Sequence, residues 1–469
     1  MENGEKRLSF REDPFAIKQK GSKLSIEIIS GIVLFLAGCY IMPTNAGILA
    51  DAGMNEAGVY ASTALLGAIA TFLFGLIANA PILVAAGMGL NAFFAYTVCL
   101  GMGFSWQEGM MIVLLSSLLY FILSITPARM AILKAFPSDL KKIVSSGLGA
   151  FIAFVGLQGS GLIVSSDSTI VALGNLGDAS TLLALFGILL AIGLMFARTK
   201  KGLLSTFAVP IAMFCTAIIG VILVACGVAD DGLPHADFST GWGINGLEEV
   251  FLFGIFGSEG LDFGSVCANV FSNPLTYVAV FSLTFANMFN AAATIMALGG
   301  DFKLLDEKGD LLSNRPLIAD SIGGLFAAPL GCCNTTTFGE SAIAAKTGGK
   351  TGLAAFVTAL LFLLSSFIYP VFSIFSYGCV TSCALVAIGG LIFSSNLREI
   401  DWKKPEVGFA AFICLLMIIL TYSLSYGIGF ALIVYLLILL VQGRGKEASW
   451  MLYLVGVLYL GSFALEAII

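Results

Sequence analysis

Ala78-Asn79-Ala80-Pro81 followed by Gly87-Met88-Gly89-Leu90-Asn91-Ala92-Phe93-Phe94 breaks an otherwise apolar run with proline, glycine and asparagine. A second stretch repeats the pattern: Ala327-Ala328-Pro329-Leu330-Gly331-Cys332-Cys333-Asn334-Thr335-Thr336-Thr337-Phe338-Gly339-Glu340. Each reads alanine and proline, then glycine, then an asparagine expected to open a helical stretch. Both are too short and too rich in small residues to be ordinary membrane helices. They are the third and tenth apolar segments of the chain, and a separation of seven is odd, so the second copy is inverted. Matched Gly/Pro-interrupted segments in two halves are the best sequence pointer to a transporter binding site. Broken backbone at membrane depth is tolerated only where it is buried in protein or lines a wet cavity. The half-helix N-termini then offer free N–H groups and a positive dipole end to a polar ligand. Glycines also permit close helix packing; it is the matched pair that favours a site.

The surrounding chain fits a membrane. It has 469 residues, 58% hydrophobic and 11% charged, whereas soluble domains carry about 25% charged residues. Apolar runs long enough to cross hydrocarbon recur from Ser25 onward. Spans are expected near 25–45, 59–80, 87–100, 109–126, 143–164, 179–197, 203–227, 274–299, 316–330, 337–347, 351–370, 376–395, 407–422 and 425–441. Met1 to Lys23 is polar and mixed in charge, so no cleavable leader is expected and the first span directs insertion. The ten cysteines show neither metal nor disulfide spacing and read as packing residues. A net charge of −6 with dispersed basic residues excludes a nucleic-acid partner.

Charge sets the orientation. Lys6, Arg7, Arg11, Lys18, Lys20 and Lys23 precede span 1. Arg129, Lys134, Lys141 and Lys142 follow span 4, and Arg198, Lys200 and Lys201 follow span 6. Lys303, Lys308 and Arg315 follow span 8, and Lys346 and Lys350 follow span 10. Arg398, Lys403 and Lys404 follow span 12, and Arg444 and Lys446 follow span 14. All 23 basic residues thus share one side, while the opposite connections, with Asp51, Glu56, Glu108, Asp167, Asp178 and the stretch 229–273, carry only acids. The positive-inside rule makes the basic side cytoplasmic, so an inner or plasma membrane protein with both termini inside is expected. The same rule splits Val407–Val441 at Ser423-Leu424-Ser425 and leaves the C-terminal segment lying along the cytoplasmic face. His235, the lone histidine, falls in the outer loop and is given no role.

Embedded polar residues mark the candidate site. Glu340 sits in apolar sequence, where an acid is costly and by default functional; burial raises a carboxyl pKa, so a proton coupling role follows. Asn287 and Asn290 lie three apart on one helical face. Asn45, Asn91 and Thr337 are further substrate-binding candidates, and Phe94 is a candidate for stacking on a planar ring, as are Phe93 and Phe285. Asp320 is a second proton-coupling candidate, equally readable as an interfacial acid near Arg315.

The run Gly87-Met88-Gly89-Leu90-Asn91-Ala92-Phe93-Phe94-Ala95-Tyr96-Thr97 closely resembles the GMGLNAFFAYT segment of the AzgA-like purine permeases, a branch of the nucleobase–ascorbate transporter superfamily. Thr335-Thr336-Thr337-Phe338-Gly339-Glu340-Ser341 with Gly348-Gly349-Lys350-Thr351-Gly352-Leu353 is similar to its TTTYVES…GGRTGL segment. Leu397-Arg398-Glu399-Ile400-Asp401-Trp402 and Leu420-Thr421-Tyr422-Ser423 match its C-terminal half, so the resemblance runs from about Glu27 to Trp450. It implies an all-α polytopic fold of fourteen spans in two inverted repeats of seven. A core domain (25–126 and 274–370) would carry the substrate between half-helices 3 and 10. A gate domain (127–227 and 371–442) would stand beside it, flanked by a tail 1–24, an outer loop 228–273 and a C-terminal segment 443–469. It implies import of adenine, guanine or hypoxanthine, usually with protons and with no other cofactor. Carried over position by position, Asn91 and Glu340 match substrate-binding positions of the family. A homodimer through the gate domain is compatible with this layout.

One departure bears on mechanism. Where the family reads FVDLFDT, this chain reads Phe285-Ala286-Asn287-Met288-Phe289-Asn290-Ala291, and an amide offers donors and an acceptor but takes no proton. A smaller one is Ala86 in place of proline. The amides motivate two other readings, a facilitator for a different small planar solute and a non-transporting base sensor. An enzyme is not expected: the sequence holds no nucleophile–base pair, metal cluster or phosphate loop.

Overall fold

A computed structural model describes residues 15–126, 137–166, 170–197, 205, 207–228, 232–235, 242–254, 262–299, 302–305, 311–421 and 424–468. Lys6, Arg7, Arg11, Arg129, Lys134, Asp167, Arg198, Lys200, Lys201, Lys308 and the break at Ser423 lie outside the described residues. The apolar runs form helices α1 (Leu24–Gly38), α2 (Ile41–Ala50), α3 (Glu56–Ala78), α4 (Met88–Ala92), α5 (Trp106–Ile125), α6 (Ser138–Gly159), α7 (Ala179–Met195) and α8 (Ala208–Ala225). They continue with α9 (Pro274–Gly299), α10 (Arg315–Leu325), α11 (Ala342–Thr347), α12 (Gly352–Ser365), α13 (Gly378–Leu397), α14 (Pro405–Thr421), α15 (Leu424–Val441) and α16 (Trp450–Ile468). Among the described residues, seven helical stretches are long and apolar enough to cross a membrane, α1 and α2 counting together, and seven shorter apolar helices accompany them. Their outward faces carry large apolar side chains such as Leu189, Ile218, Phe409 and Phe412, all exposed. A contiguous apolar exterior of this kind is what lipid solvates.

The helices pack most closely within two sets. In one, α3 packs on α12, α10 and α2, with α1 on α12 and α5 on α10 and α9; in the other, α13 packs on α6, α7 and α8, and α14 on α15 and α6. Small residues permit the closest approaches. A Cβ on Gly149 of α6 would lie 2.7 Å from the Gly389 carbonyl oxygen of α13. At the basic end, the buried Glu27 carboxylate accepts the backbone N–H groups of Lys350 (3.0 Å) and Thr351 (3.2 Å). It thereby caps the positive end of α12 from a different helix. Asn79, left-handed at the C-terminus of α3 (φ 49°), accepts the Gly352 N–H at 2.8 Å. Arg444 at the end of α15 pairs with Glu406 of α14 (2.9 Å) and with Glu447 (2.7 Å), and holds the Glu447 carboxyl below its ordinary range.

The structure corrects the sequence reading in four places. The fold is not purely helical: β1 (Val84–Ala86) pairs antiparallel with a second short strand, Thr335–Thr337. Asn334 therefore leads into a strand and not a helix. The first span bends at Cys39 and Tyr40 between α1 and α2. The fifth stops at Gly159, where Gly161 (φ +73°) turns the chain into a hairpin of Ile163–Ser166 with Ile170–Leu173. The C-terminal segment forms a further helix, α16, packed antiparallel on α15 by one apolar face, while Leu454, Val457 and Leu460 on it are exposed. Leu452, Val455 and Tyr459 are buried, and a Cβ on Gly429 would meet the Tyr459 and Phe463 rings.

Candidate functional site

The two interrupted stretches meet. In chain order the strand Thr335–Thr337 is β4, after β2 (Ile163–Ser166) and β3 (Ile170–Leu173), and its register with β1 is Val84↔Thr337, Ala85↔Thr336 and Ala86↔Thr335. All six residues are buried. Extended backbone at this depth needs partners for its polar groups, and several are found at the ends of the pair. Gly87 N–H donates to the Asn334 carbonyl (3.0 Å) and Phe338 N–H to the Leu83 carbonyl (3.0 Å). Leu83 N–H donates to Ser341 Oγ (2.9 Å), and Thr71 Oγ1 both accepts from Val84 N–H (3.1 Å) and donates to the Val84 carbonyl (2.9 Å). β1 leads into α4, which continues as a π-helix over Phe93–Gly101; π-turns of this kind recur at functional sites. β4 leads into a 3-10 turn, Gly339–Ser341, and then α11.

Glu340 opens this second half-helix. It is only partly buried, and its neighbour Gly339 is exposed with open space where a Cβ would stand. Tyr40, at the bend of the first span, donates its hydroxyl to Glu340 Oε1 at 2.7 Å. Asn91 of α4 and Asn287 of α9 are fully buried, and neither amide makes a hydrogen bond among the described residues. An unmet buried polar group costs about 1–3 kcal/mol, so these two amides are candidates for meeting a ligand. α4 touches α9, and α9 touches the 3-10 turn that carries Glu340.

The other sequence candidates have different surroundings. Asn290 donates to Thr336 Oγ1 of β4 (2.9 Å), fixing α9 against the strand. Asn45 donates to Thr63 Oγ1 (2.6 Å) and Cys332 Sγ (3.6 Å), tying the first span to α3 and to the stretch before β4. Thr337 Oγ1 reaches the Ala291 carbonyl at 3.5 Å. Phe94 is fully buried with its ring edge against Gly109 of α5, which is a packing position. Asp320 of α10 is fully buried and accepts from Tyr120 Oη at 2.5 Å. Sequence reasoning missed Tyr40, whose signal is a polar tip within an apolar span. It also missed Ser116 and Ser117 of α5, which accept from Asn334 at 3.3 and 3.0 Å.

Comparison with known proteins gives the family. A model described as the permease family matches residues 25–430. The guanine/hypoxanthine permease PbuG of Bacillus subtilis is 34% identical, over 94% of this chain and 96% of its own. The adenine permease AdeP of Escherichia coli is 30% identical, over 96% and 95%. Among solved structures, the transmembrane domain of the cyanobacterial bicarbonate transporter BicA superposes with a TM-score of 0.57 at 14% identity, over 87% of this chain and 97% of that one. At that identity the likeness concerns the fold alone.

Proposed function

The chain belongs to the permease family matched over residues 25–430, and on that premise we propose that it is a secondary transporter importing a purine base, proton-coupled through Glu340. It is a multi-pass membrane protein and a permease, not an enzyme. The observation that carries the reading is the conjunction at the strand crossing. A partly buried carboxylate follows the exposed Gly339, where a Cβ would meet open space, and two fully buried amides nearby have no partner among the described residues.

A purine ring presents N–H donors, ring-nitrogen acceptors and an exocyclic amine or carbonyl on one planar edge. Glu340 accepts from a ring N–H, a charge-assisted bond of roughly 1.5–3 kcal/mol. Asn91 and Asn287 supply both a donor and an acceptor each, which suits the remaining edge. The amide at Asn287, where the resembled family carries an acid, leaves Glu340 as the acid of this site that can take the coupling proton. Asp320 is held by Tyr120 on α5 and remains a second proton-coupling candidate.

The wider architecture of the proposal is fourteen spans in two inverted repeats of seven, with α16 following them as a further crossing. The antiparallel pairing of β1 with β4 supports it, since two inverted copies bring matching segments together head to tail. The set containing α3, α10 and α12 would be the core domain and the set containing α6, α8 and α13 the gate, moving as rigid bodies. The N-terminus and basic connections would be cytoplasmic and the loop 229–273 outside. Uptake of labelled adenine, guanine and hypoxanthine into proteoliposomes, with and without an inward proton gradient, tests the reading. No uptake of any of the three under either condition overturns it.

A further inference from the structure

Tyr40 holds a place that the proposed transport cycle does not account for. It stands at the break between α1 and α2 and is 3% exposed. Its ring faces an apolar cleft with Pro43 on its own segment and Pro210, Met213 and Phe214 on α8. Its hydroxyl points the other way and donates to Glu340 Oε1, 300 residues along the chain. Helix bends place a side chain where a continuous helix could not, and this one sets a phenol between the α8 side and the carboxylate.

We propose that Tyr40 is the positioning residue of the site, locking the Glu340 carboxyl so that Oε2 faces the ligand. The inference rests on the purine-transporter reading for its ligand but not for its geometry. Glu340 sits in a short 3-10 turn with open space beside it, and no other side-chain hydrogen bond to its carboxylate is found among the described residues. A glutamate so placed has three side-chain torsions to order. One hydroxyl bond removes most of that freedom before a ligand arrives, which is how a preorganised site gains affinity. The same bond takes one oxygen, so a single planar N–H edge is matched by the other.

The test is a double-mutant cycle on purified protein, with Tyr40→Phe, Glu340→Gln and the pair. Tyr40→Phe keeps the ring and removes one oxygen; purine binding is expected to weaken about five- to tenfold. In the Glu340→Gln background the same change is expected to add less than twofold, since neighbours that act as a unit are non-additive. Independent, additive losses overturn the proposal, as does unchanged binding in Tyr40→Phe. Glu340→Asp draws the carboxyl back by one methylene while keeping its charge; it must also weaken binding, and wild-type affinity there is equally fatal. A substrate-free readout separates this idea from the functional reading. The carboxyl infrared band lost in Glu340→Gln is expected to shift in Tyr40→Phe with no purine present. An unshifted band rejects the pairing whether or not the wild-type protein binds a purine, and a shifted band supports it even if no purine binds.

Discussion

Phe463 of α16 stacks on Phe430 of α15, ring centroids 4.9 Å apart and planes 22° from parallel. The same Phe463 touches Tyr426 (5.7 Å), near the start of α15, while Tyr453 donates to the Gly445 carbonyl (2.8 Å) just past its end. The two helices therefore lie side by side over nearly the whole of α15, whose 18 residues make a rod about 27 Å long. If α15 crosses the membrane, α16 crosses it back. Glu466, the one charged residue of α16, then joins the acids-only side. An epitope tag appended to the C-terminus is expected to be reached by antibody in intact cells. Staining only after permeabilisation would return the C-terminus to the cytoplasmic side.

The helix positions, the two interruptions and Glu340 were legible because each is written locally, as an apolar run, a Gly/Pro break or an acid out of place. The pairing of Val84–Ala86 with Thr335–Thr337 was not, since three-residue strands carry no periodicity and their partner is far along the chain. The asparagines show the same limit. Asn45 and Asn91 read alike as buried amides, yet one is bonded to Thr63 and the other has no partner among the described residues. That difference depends on what α3 and Cys332 present, which no local pattern records. The fate of α16 was missed for a related reason: charge bias near Arg444 fixes where α15 ends but says nothing of what an apolar tail does next.

Asn287 gives a prediction in which stability and function part. A buried amide without a partner is destabilising, and an apolar residue of the same shape is neutral or better. Asn287→Leu is expected to unfold at the same or a higher temperature than the wild type in detergent while losing purine binding. A clear drop in unfolding temperature would mean the amide has structural partners and is not held for a ligand.

Tyr120 and Asp320 make the opposite case. Their bond at 2.5 Å joins α5 to α10, and Asp320 also receives Thr335 Oγ1 at its backbone carbonyl (3.4 Å). Removing the phenol oxygen leaves a buried carboxyl short of a donor, a loss of roughly 1.5–3 kcal/mol. Tyr120→Phe should therefore lower the unfolding temperature, and Asp320→Asn should keep the proton dependence of uptake. Loss of that dependence in Asp320→Asn would make Asp320 the coupling acid instead.

Glu340→Gln is the decisive substitution for the mechanism. It preserves volume and planarity, so the fold around β1 and β4 should persist. It removes the charge that strengthens the bond to a ring N–H, which is worth at least about 1.4 kcal/mol, or tenfold in affinity. It also removes the site at which a proton can ride, and neither Asn287 nor Asn290 can replace it. Purine binding is thus expected to weaken tenfold or more, and whatever uptake remains should no longer respond to an imposed proton gradient. Asn287→Asp runs the argument in reverse. A second acid beside the site restores the pattern of the resembled family, and it should strengthen the pH dependence or change which base is preferred in competition. If Glu340→Gln transports with wild-type affinity and wild-type response to the gradient, Glu340 is a structural acid and the coupling lies elsewhere.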